Sequence, residues 1–137
     1  MTKHTFKLEE DYDFEIIGVS CHTKNYKLCW AINNALDINL IRLNDFDILK
    51  KKETLSFSFY EYIDKKNNIE YYLIANKSES GFLIPEKQSV DYFIILKGYT
   101  EPKLITKITT ILNKQEIILM AHQIDVAILK SRKNLLF

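Results

Sequence analysis

The chain has 137 residues, the length of one domain, and no internal repeat or Pro/Gly-rich linker divides it, so we predict a single globular domain over residues 1–137. With 47% apolar residues and a net charge of +1, the composition excludes a disordered chain and a polybasic nucleic-acid tail. Three glycines are too few for the phosphate-cradling loops of P-loop and dinucleotide-binding proteins, which excludes those enzyme classes.

The first part of the chain combines short apolar runs with one helical pattern. Residues 14–19 are apolar and β-branched, which predicts a buried strand. Over residues 24–36 apolar side chains recur at helical spacing on more than one side, so this helix is expected to pack against a sheet or a second subunit. Residues 38–43 favour a short strand, whereas the pattern over 44–54 predicts no definite structure.

Strand signals dominate the middle of the chain. Strict alternation of apolar and polar residues, interrupted by one polar turn, predicts a β-hairpin over 55–75. Two further strands are predicted over 81–84 and 90–97. A proline near its start and a single apolar stripe predict an amphipathic helix over 101–113, and residues 116–124 form the closing strand.

The last three of these elements form a βαβ unit, whose two strands are expected to be neighbouring and parallel. The predicted fold class is α+β: a single mixed, mainly antiparallel β-sheet with two principal helices packed on one face, loosely ferredoxin-like. The apolar tripeptide at 135–137 is expected to dock on this domain, because exposed it would fray in water.

One segment of the sequence forms a recognisable motif: residues 84–93 read IPEKQSVDYF. It resembles the signature of the IPExxxVDY family, a set of small bacterial proteins with no established activity, and the resemblance extends along most of the chain. It implies membership of that family and no particular function. The motif positions are Ile84, Pro85, Glu86, Val90, Asp91 and Tyr92.

The motif has the chemistry of a strand–loop–strand connection. Pro85 fixes its own φ and lacks an N–H, which ends a strand or protects an edge. Glu86 is expected to accept hydrogen bonds from loop N–H groups. Asp91 borders an apolar face, so its carboxylate is expected to tie down the loop, with a ligand-binding or catalytic role as the alternative.

The sequence offers little catalytic chemistry: it contains no GxSxG, no HExxH and no paired carboxylate cluster, and we assign no catalytic, metal or cofactor-binding residues. An acid–base dyad would need His4, His22 or His122. Asp91 lies early in its strand and His122 late in a parallel one, so they are expected near opposite ends of the sheet. Cys21 is the one candidate nucleophile, at the mouth of a helix whose dipole favours a thiolate.

Three tyrosines suggest an interaction surface. Tyr60, Tyr62 and Tyr72 are expected to share the sheet face opposite the helices, where they would contact a second copy, an unknown protein partner or stacked RNA bases. The nearly neutral charge provides no attraction for RNA. The leading hypothesis is a non-enzymatic interaction or regulatory module acting as a homodimer. An RNA-associated protein is the alternative, and a small-molecule enzyme with Cys21 as its nucleophile is third.

The expected location is the cytoplasm. The first residues lack the basic and apolar regions of a signal peptide, and no apolar run approaches the length needed to cross a membrane, so we predict no membrane association. Cys21 and Cys29 have neither CxxC spacing nor a second ligand pair, which favours two reduced, packed thiols over a metal site.

Overall fold

The computed structural model describes residues 13–23, 25–98 and 100–137. Within these ranges the chain forms two α-helices and eight strands. Their bounds are β1 (Glu15–Cys21), α1 (Asn25–Leu36), β2 (Ile41–Arg42), β3 (Phe46–Lys50), β4 (Glu53–Phe57), β5 (Phe59–Asp64), β6 (Ile69–Ala75), β7 (Tyr92–Gly98), α2 (Pro102–Asn113) and β8 (Ile118–Ile124).

The predicted α+β class is confirmed. Six strands form one sheet in the order β2-β5-β6-β7-β1-β8, and each of these pairings is antiparallel. Both helices and the strands predicted over 14–19, 90–97 and 116–124 are present, within two residues of the predicted ends. The strand predicted over 38–43 is reduced to the two residues of β2.

The βαβ unit differs from the prediction in one respect. β7 and β8 do run parallel, but they are not neighbours, because β1 lies between them and pairs with both. β1 comes from a distant part of the chain, so its insertion leaves no signal in the local pattern of residues 90–124. Antiparallel hydrogen bonding to β1 therefore replaces the expected parallel pairing.

A second, two-stranded sheet of β3 and β4 was not expected. The predicted hairpin over 55–75 begins instead at Phe59, because the chain passes from one sheet to the other at Ser58. Lys51 and Lys52 form the β3–β4 turn with φ values of 49° and 67°. Positive φ at both positions fits a two-residue hairpin turn, which Asn-Gly usually forms. Two lysines are not typical of such a turn, so the sequence does not predict it.

The helices pack side by side on one face of the sheet, which we call the helix face. The apolar stripe predicted over 101–113 is the buried side of α2, where Ile105, Ile108 and Leu112 meet the sheet. α1 buries Leu28 and Ile32 in the same core. Neither of the described helices has the length and apolar character to cross a bilayer.

The opposite face is covered by residues 125–137, the covering segment. Leu129 and Leu135 are fully buried. The ring of Phe137 packs edge-on against Phe59 and Tyr72, with centroids 5.0 and 5.1 Å apart. Leu135 and the ring of Phe137 therefore dock as predicted, whereas Leu136 is exposed.

The motif loop, residues 83–91, is held by the fully buried side chain of Asn76. Its Nδ2 donates to the carbonyl oxygens of Lys87 and Val90 at 2.8 and 2.9 Å. Its Oδ1 accepts the N–H of Ile84 at 2.7 Å. One amide thus binds three backbone groups of the loop. The Lys87 carbonyl also accepts the N–H of Val90 at 3.1 Å, whereas the Ile84 N–H and the Val90 carbonyl depend on Asn76.

The backbone of Asn76 continues this attachment. Its N–H donates to the carbonyl of Asp91 at 2.9 Å, and its carbonyl accepts the N–H of Leu83 at 2.8 Å. The strand predicted over 81–84 is wrong: apart from an isolated bridge between residues 77 and 82, the loop forms a 3-10 helix at Pro85–Lys87. Asn76 therefore binds five backbone groups of the loop, which takes the place of pairing with a strand.

Replacing Asn76 by alanine should destabilise the whole fold. Two buried loop groups, the Ile84 N–H and the Val90 carbonyl, would lose their partner, and at about 1–3 kcal/mol for each we expect the free energy of unfolding to fall by at least about 2 kcal/mol in urea denaturation. The control is Asn34→Ala, because Asn34 is exposed and donates only to a carbonyl of its own helix. A loss below about 1 kcal/mol for Asn76→Ala would contradict this role.

Candidate functional site

A cleft of about 770 Å³ opens at the end of the sheet where β1 and β6 finish and β7 begins. The start of α1 forms one side, and β4 with the Ser58 link forms another. The lining is rich in charged and hydroxyl-bearing side chains. The charged ones, histidine aside, are Arg42, Asp45, Lys77, Glu79 and Asp91.

Asp91 connects the motif loop to this cleft. Its Oδ2 accepts the backbone N–H of Cys21 at 2.8 Å, and its Oδ1 lies 2.7 Å from Nζ of Lys77. The Asp91 side chain is 19% exposed, whereas that of Lys77 is about half exposed. The carboxylate therefore joins the start of β7 to the end of β1 and to the loop after β6.

Tyr92, the last named position of the motif, lies beside it on the cleft wall. Its hydroxyl donates to the side-chain oxygen of Asn25 in the first turn of α1. Burial raises the pKa of Tyr92, and the nearby Cys21, Tyr60 and Asp91 raise it further. The hydroxyl is therefore a proton donor that positions α1 on the sheet.

Cys21 is a buried thiol and is not activated. Burial raises its pKa and Asp91 adds to the effect, while a backbone hydrogen bond at Thr23 and the charge of Lys77 oppose it. The thiolate expected from the helix dipole is therefore disfavoured at neutral pH, and that expectation is wrong. The neighbouring His22 is exposed at the cleft mouth.

Ser58 is the unusual residue of the wall. It is 8% exposed, and its hydroxyl has no hydrogen-bond partner among the described residues. Its backbone carbonyl accepts the N–H of Ala75 at 3.0 Å, which fixes it at the junction of the two sheets. A buried hydroxyl without a partner is costly, so Ser58 keeps an unused hydrogen-bonding group in the wall of the cleft.

The charges of the cleft are mixed. Arg42 and Asp45 form an ion pair at 2.6 Å, and Lys77 pairs with Asp91. Glu79 is exposed and forms no ion pair within the described ranges. No cluster of three metal-ligating side chains occurs in the part of the chain that the structure describes.

The other motif residues lie outside the cleft. Ile84 and Val90 are buried in the core, and Pro85 begins the 3-10 helix. Glu86 accepts the backbone N–H of Ser131 at 2.7 Å and its hydroxyl at 2.9 Å. Burial acts to raise the pKa of Glu86, but these hydrogen bonds outweigh it and lower the pKa. Glu86 thus attaches the covering segment to the motif loop.

The three tyrosines do not share a face. Tyr60 and Tyr62 are two residues apart in β5 and therefore share one face of the sheet. Tyr71 lies on the same face, because it pairs with Tyr62. Through β6 and β7 that face continues to Tyr92, which meets α1, so it is the helix face. Tyr72 follows Tyr71 and therefore lies on the other face. The predicted common face is wrong, because the face of a β6 residue relative to β5 depends on the register in which the two strands pair.

None of these tyrosines forms an open aromatic platform. Tyr60 and Tyr72 are buried, and Tyr62 is half-buried. Tyr72 stacks on Phe59 with centroids 5.7 Å apart and is covered edge-on by Phe137. These three tyrosines therefore do not support the hypothesis that RNA bases stack on the sheet.

Asp91 and His122 are not at opposite ends of the sheet, so that expectation is wrong as well. Gly18 of β1 pairs with Phe93 on one side and with His122 on the other. His122 is therefore level with the start of β7, two strand spacings away, a distance of roughly 10 Å. The contacts of Asp91 go to other residues, and His4 lies outside the described residues.

Three important residues went unnoticed in the sequence: Ser58, Asn76 and Lys77. Asn76 had a signal, because an asparagine directly after an apolar strand is well suited to close a loop. Ser58 lies between two phenylalanines and looked like an ordinary outward-facing strand residue. Lys77 meets Asp91 only through the folded loop.

No protein-family model matches the chain, and no curated protein is significantly similar to it. The resemblance to IPExxxVDY proteins accordingly rests on the motif and on the residues around it.

Two substitutions of Asp91 distinguish the contribution of its hydrogen bond to Cys21 from that of its ion pair with Lys77. Asp91→Ala leaves the Cys21 N–H without an acceptor, so we expect the free energy of unfolding to fall by about 1–3 kcal/mol. Asp91→Asn retains an acceptor oxygen and loses only the pairing with half-exposed Lys77, so its loss should stay below about 1 kcal/mol.

Urea denaturation measures both variants, with Asp45→Ala as the control for an exposed ion pair. Unchanged stability of Asp91→Ala would show that the carboxylate does not hold the loop.

Proposed function

We propose that this protein is a non-enzymatic binding module with a regulatory role, which takes a small polar molecule into the cleft and acts as a homodimer. Ser58 carries the proposal, because this residue lines a polar cleft and its buried hydroxyl has no partner among the described residues. The cleft volume is within the range of about 300–1,000 Å³ that is usual for small-molecule sites.

The chemistry of the wall favours binding over catalysis. Asp91 has one carboxylate oxygen on a backbone N–H and the other on Lys77, so acting as a base would break a structural contact. The Cys21 thiol is kept protonated by burial and by Asp91. Tyr92 is likewise kept protonated and donates to Asn25.

We also place the protein in the cytoplasm and among the IPExxxVDY proteins. The motif at residues 84–93 supports the family assignment. Cys21 and Cys29 are both free and buried, which supports a reducing compartment.

The homodimer has its best support on α1. Tyr26 and Trp30 are one helical turn apart, and their side chains are 63% and 70% exposed. Interfaces are enriched in tryptophan and tyrosine, and a two-fold dimer is the commonest assembly of identical chains. We propose that this side of α1 meets the same side of a second copy.

Replacing Ser58 by alanine should raise the stability of the free protein and weaken the binding of its ligand. Without its ligand, Ser58→Ala removes a buried, unpaired hydroxyl, so we expect the free energy of unfolding to rise by about 1 kcal/mol. The matched control is Ser20→Ala, because the Ser20 hydroxyl is paired with the Ser89 carbonyl at 2.8 Å. Ser20→Ala should not stabilise the protein.

Thermal-shift measurements with amino acids, sugars, carboxylic acids and nucleotides test the binding function. At least one class should raise the melting temperature of the wild type, and should raise that of Ser58→Ala by less. Destabilisation by Ser58→Ala would mean that the hydroxyl is satisfied internally. Together with a lack of any ligand-induced shift, that result would overturn the proposed function.

The sole tryptophan reports on the dimer. Light scattering should give twice the mass of one chain, and the emission of Trp30 should shift to shorter wavelength as protein concentration rises. Trp30→Glu should give a folded monomer, whereas Leu119→Glu, at a similarly exposed apolar position on β8, should leave the dimer intact. A wild type that is monomeric at all concentrations would exclude the homodimer.

A further inference from the structure

We infer that the ligand of the cleft is a small zwitterion of the α-amino acid class, with one carboxylate and one ammonium group. The inference rests on the proposed function and adds the chemical class of the ligand.

The charges on the wall favour a ligand that carries both signs. A ligand with only negative groups would meet the carboxylates of Asp45, Glu79 and Asp91. A ligand with only positive groups would meet Lys77 and Arg42 as well as the positive end of a helix. A zwitterion can place each charge beside its opposite and leave the ion pair of Arg42 with Asp45 intact.

The carboxylate has a suitable position at the start of α1. Thr23 and Asn25, just before and at the first residue of this twelve-residue helix, line the cleft. The first N–H groups of a helix lack intrahelical acceptors, and the first turn of α1 carries no acidic side chain to neutralise them. Lys77 lines the same wall, and although one side of its ammonium group is paired with Asp91, its half-exposed side chain can also face the ligand carboxylate.

Ser58 provides the independent sign that a ligand group arrives here. Its hydroxyl is buried without a partner, and it can donate to a carboxylate oxygen or accept from an ammonium group. An α-amino acid presents both of these groups within a few bond lengths.

The ammonium group has its counterpart in Glu79. This carboxylate is exposed on the loop after β6 and forms no ion pair with the described part of the chain. Asp45 lies on the same cleft and is already paired with Arg42. Glu79 is therefore the acceptor that a ligand ammonium group reaches without displacing a protein cation.

Isothermal titration calorimetry of the full chain tests the inference. The probes are the common L-amino acids, inorganic phosphate and glucose. The tightest-binding amino acid is then compared with two derivatives: the N-acetylated acid, which lacks the ammonium charge, and the decarboxylated amine. We expect each derivative to bind at least about tenfold more weakly than the amino acid, as expected when a charged hydrogen-bonding group is lost.

Two variants assign the ends of the ligand. Glu79→Gln should weaken binding of the amino acid by about threefold to fivefold, as for an exposed ion pair, and leave that of the N-acetylated acid unchanged. Lys77→Met should weaken binding of the amino acid and leave that of the amine unchanged. Glu116→Gln and Lys107→Met, at exposed positions away from the cleft, are the matched controls and should bind like the wild type. Circular dichroism confirms that each variant is folded.

The outcomes separate this inference from the proposed function. Phosphate or glucose binding without any amino acid would overturn the zwitterion and leave a small-molecule module. Equal affinity for the amino acid and its two derivatives would overturn the zwitterion too. If none of the probes binds, the inference is wrong, and the Ser58→Ala measurements decide separately whether the cleft binds another polar molecule.

Discussion

The arrangement of this domain depends on one buried amide, that of Asn76. Its side chain and backbone bind both ends and the middle of the motif loop, and each of its bonds goes to a backbone group. Burying one backbone group without a partner costs about 1–3 kcal/mol, which is a substantial share of the free energy of unfolding of a small domain. Because Asn76 fixes where residue 91 leaves the loop, it also sets the position of the Asp91 carboxylate at the cleft.

The same chemistry recurs at both edges of the sheet. Asn113 of α2 accepts the N–H and donates to the carbonyl of Ala121 in edge strand β8, both at 2.8 Å. Asn33 of α1 makes the equivalent pair of bonds to Leu40, directly before edge strand β2. Edge strands with free backbone groups invite pairing with another chain, and these amides occupy part of each edge. Continuation of the sheet into another chain is therefore hindered at these two positions, which is consistent with the proposed association through α1.

Local patterns sufficed for most of the fold and little of the site. The stripe of α2 and the alternation of the strands follow from periodicities of 3.6 and 2 residues, so these elements were predictable. The β3–β4 hairpin was not, because Lys51 and Lys52 adopt positive φ without the usual turn residues. The position of β1 and the faces of the tyrosines depend on which strands pair and in which register. Ser58 and Lys77 become neighbours of one cleft only through that pairing.

The motif combines two tasks that one carboxylate alone could not perform. Glu86 lies on the outer side of the loop and holds the covering segment through Ser131. Asp91 lies on the inner side and holds β1 and Lys77. The loop is thus fixed from both sides, and Tyr92 carries that order on to Asn25 at the start of α1. A site whose carboxylate and phenol are both committed to structure has little freedom to transfer protons. Ser58 and Glu79 have no such structural contacts among the described residues and can receive hydrogen bonds and charge from a ligand, which supports the proposed binding function.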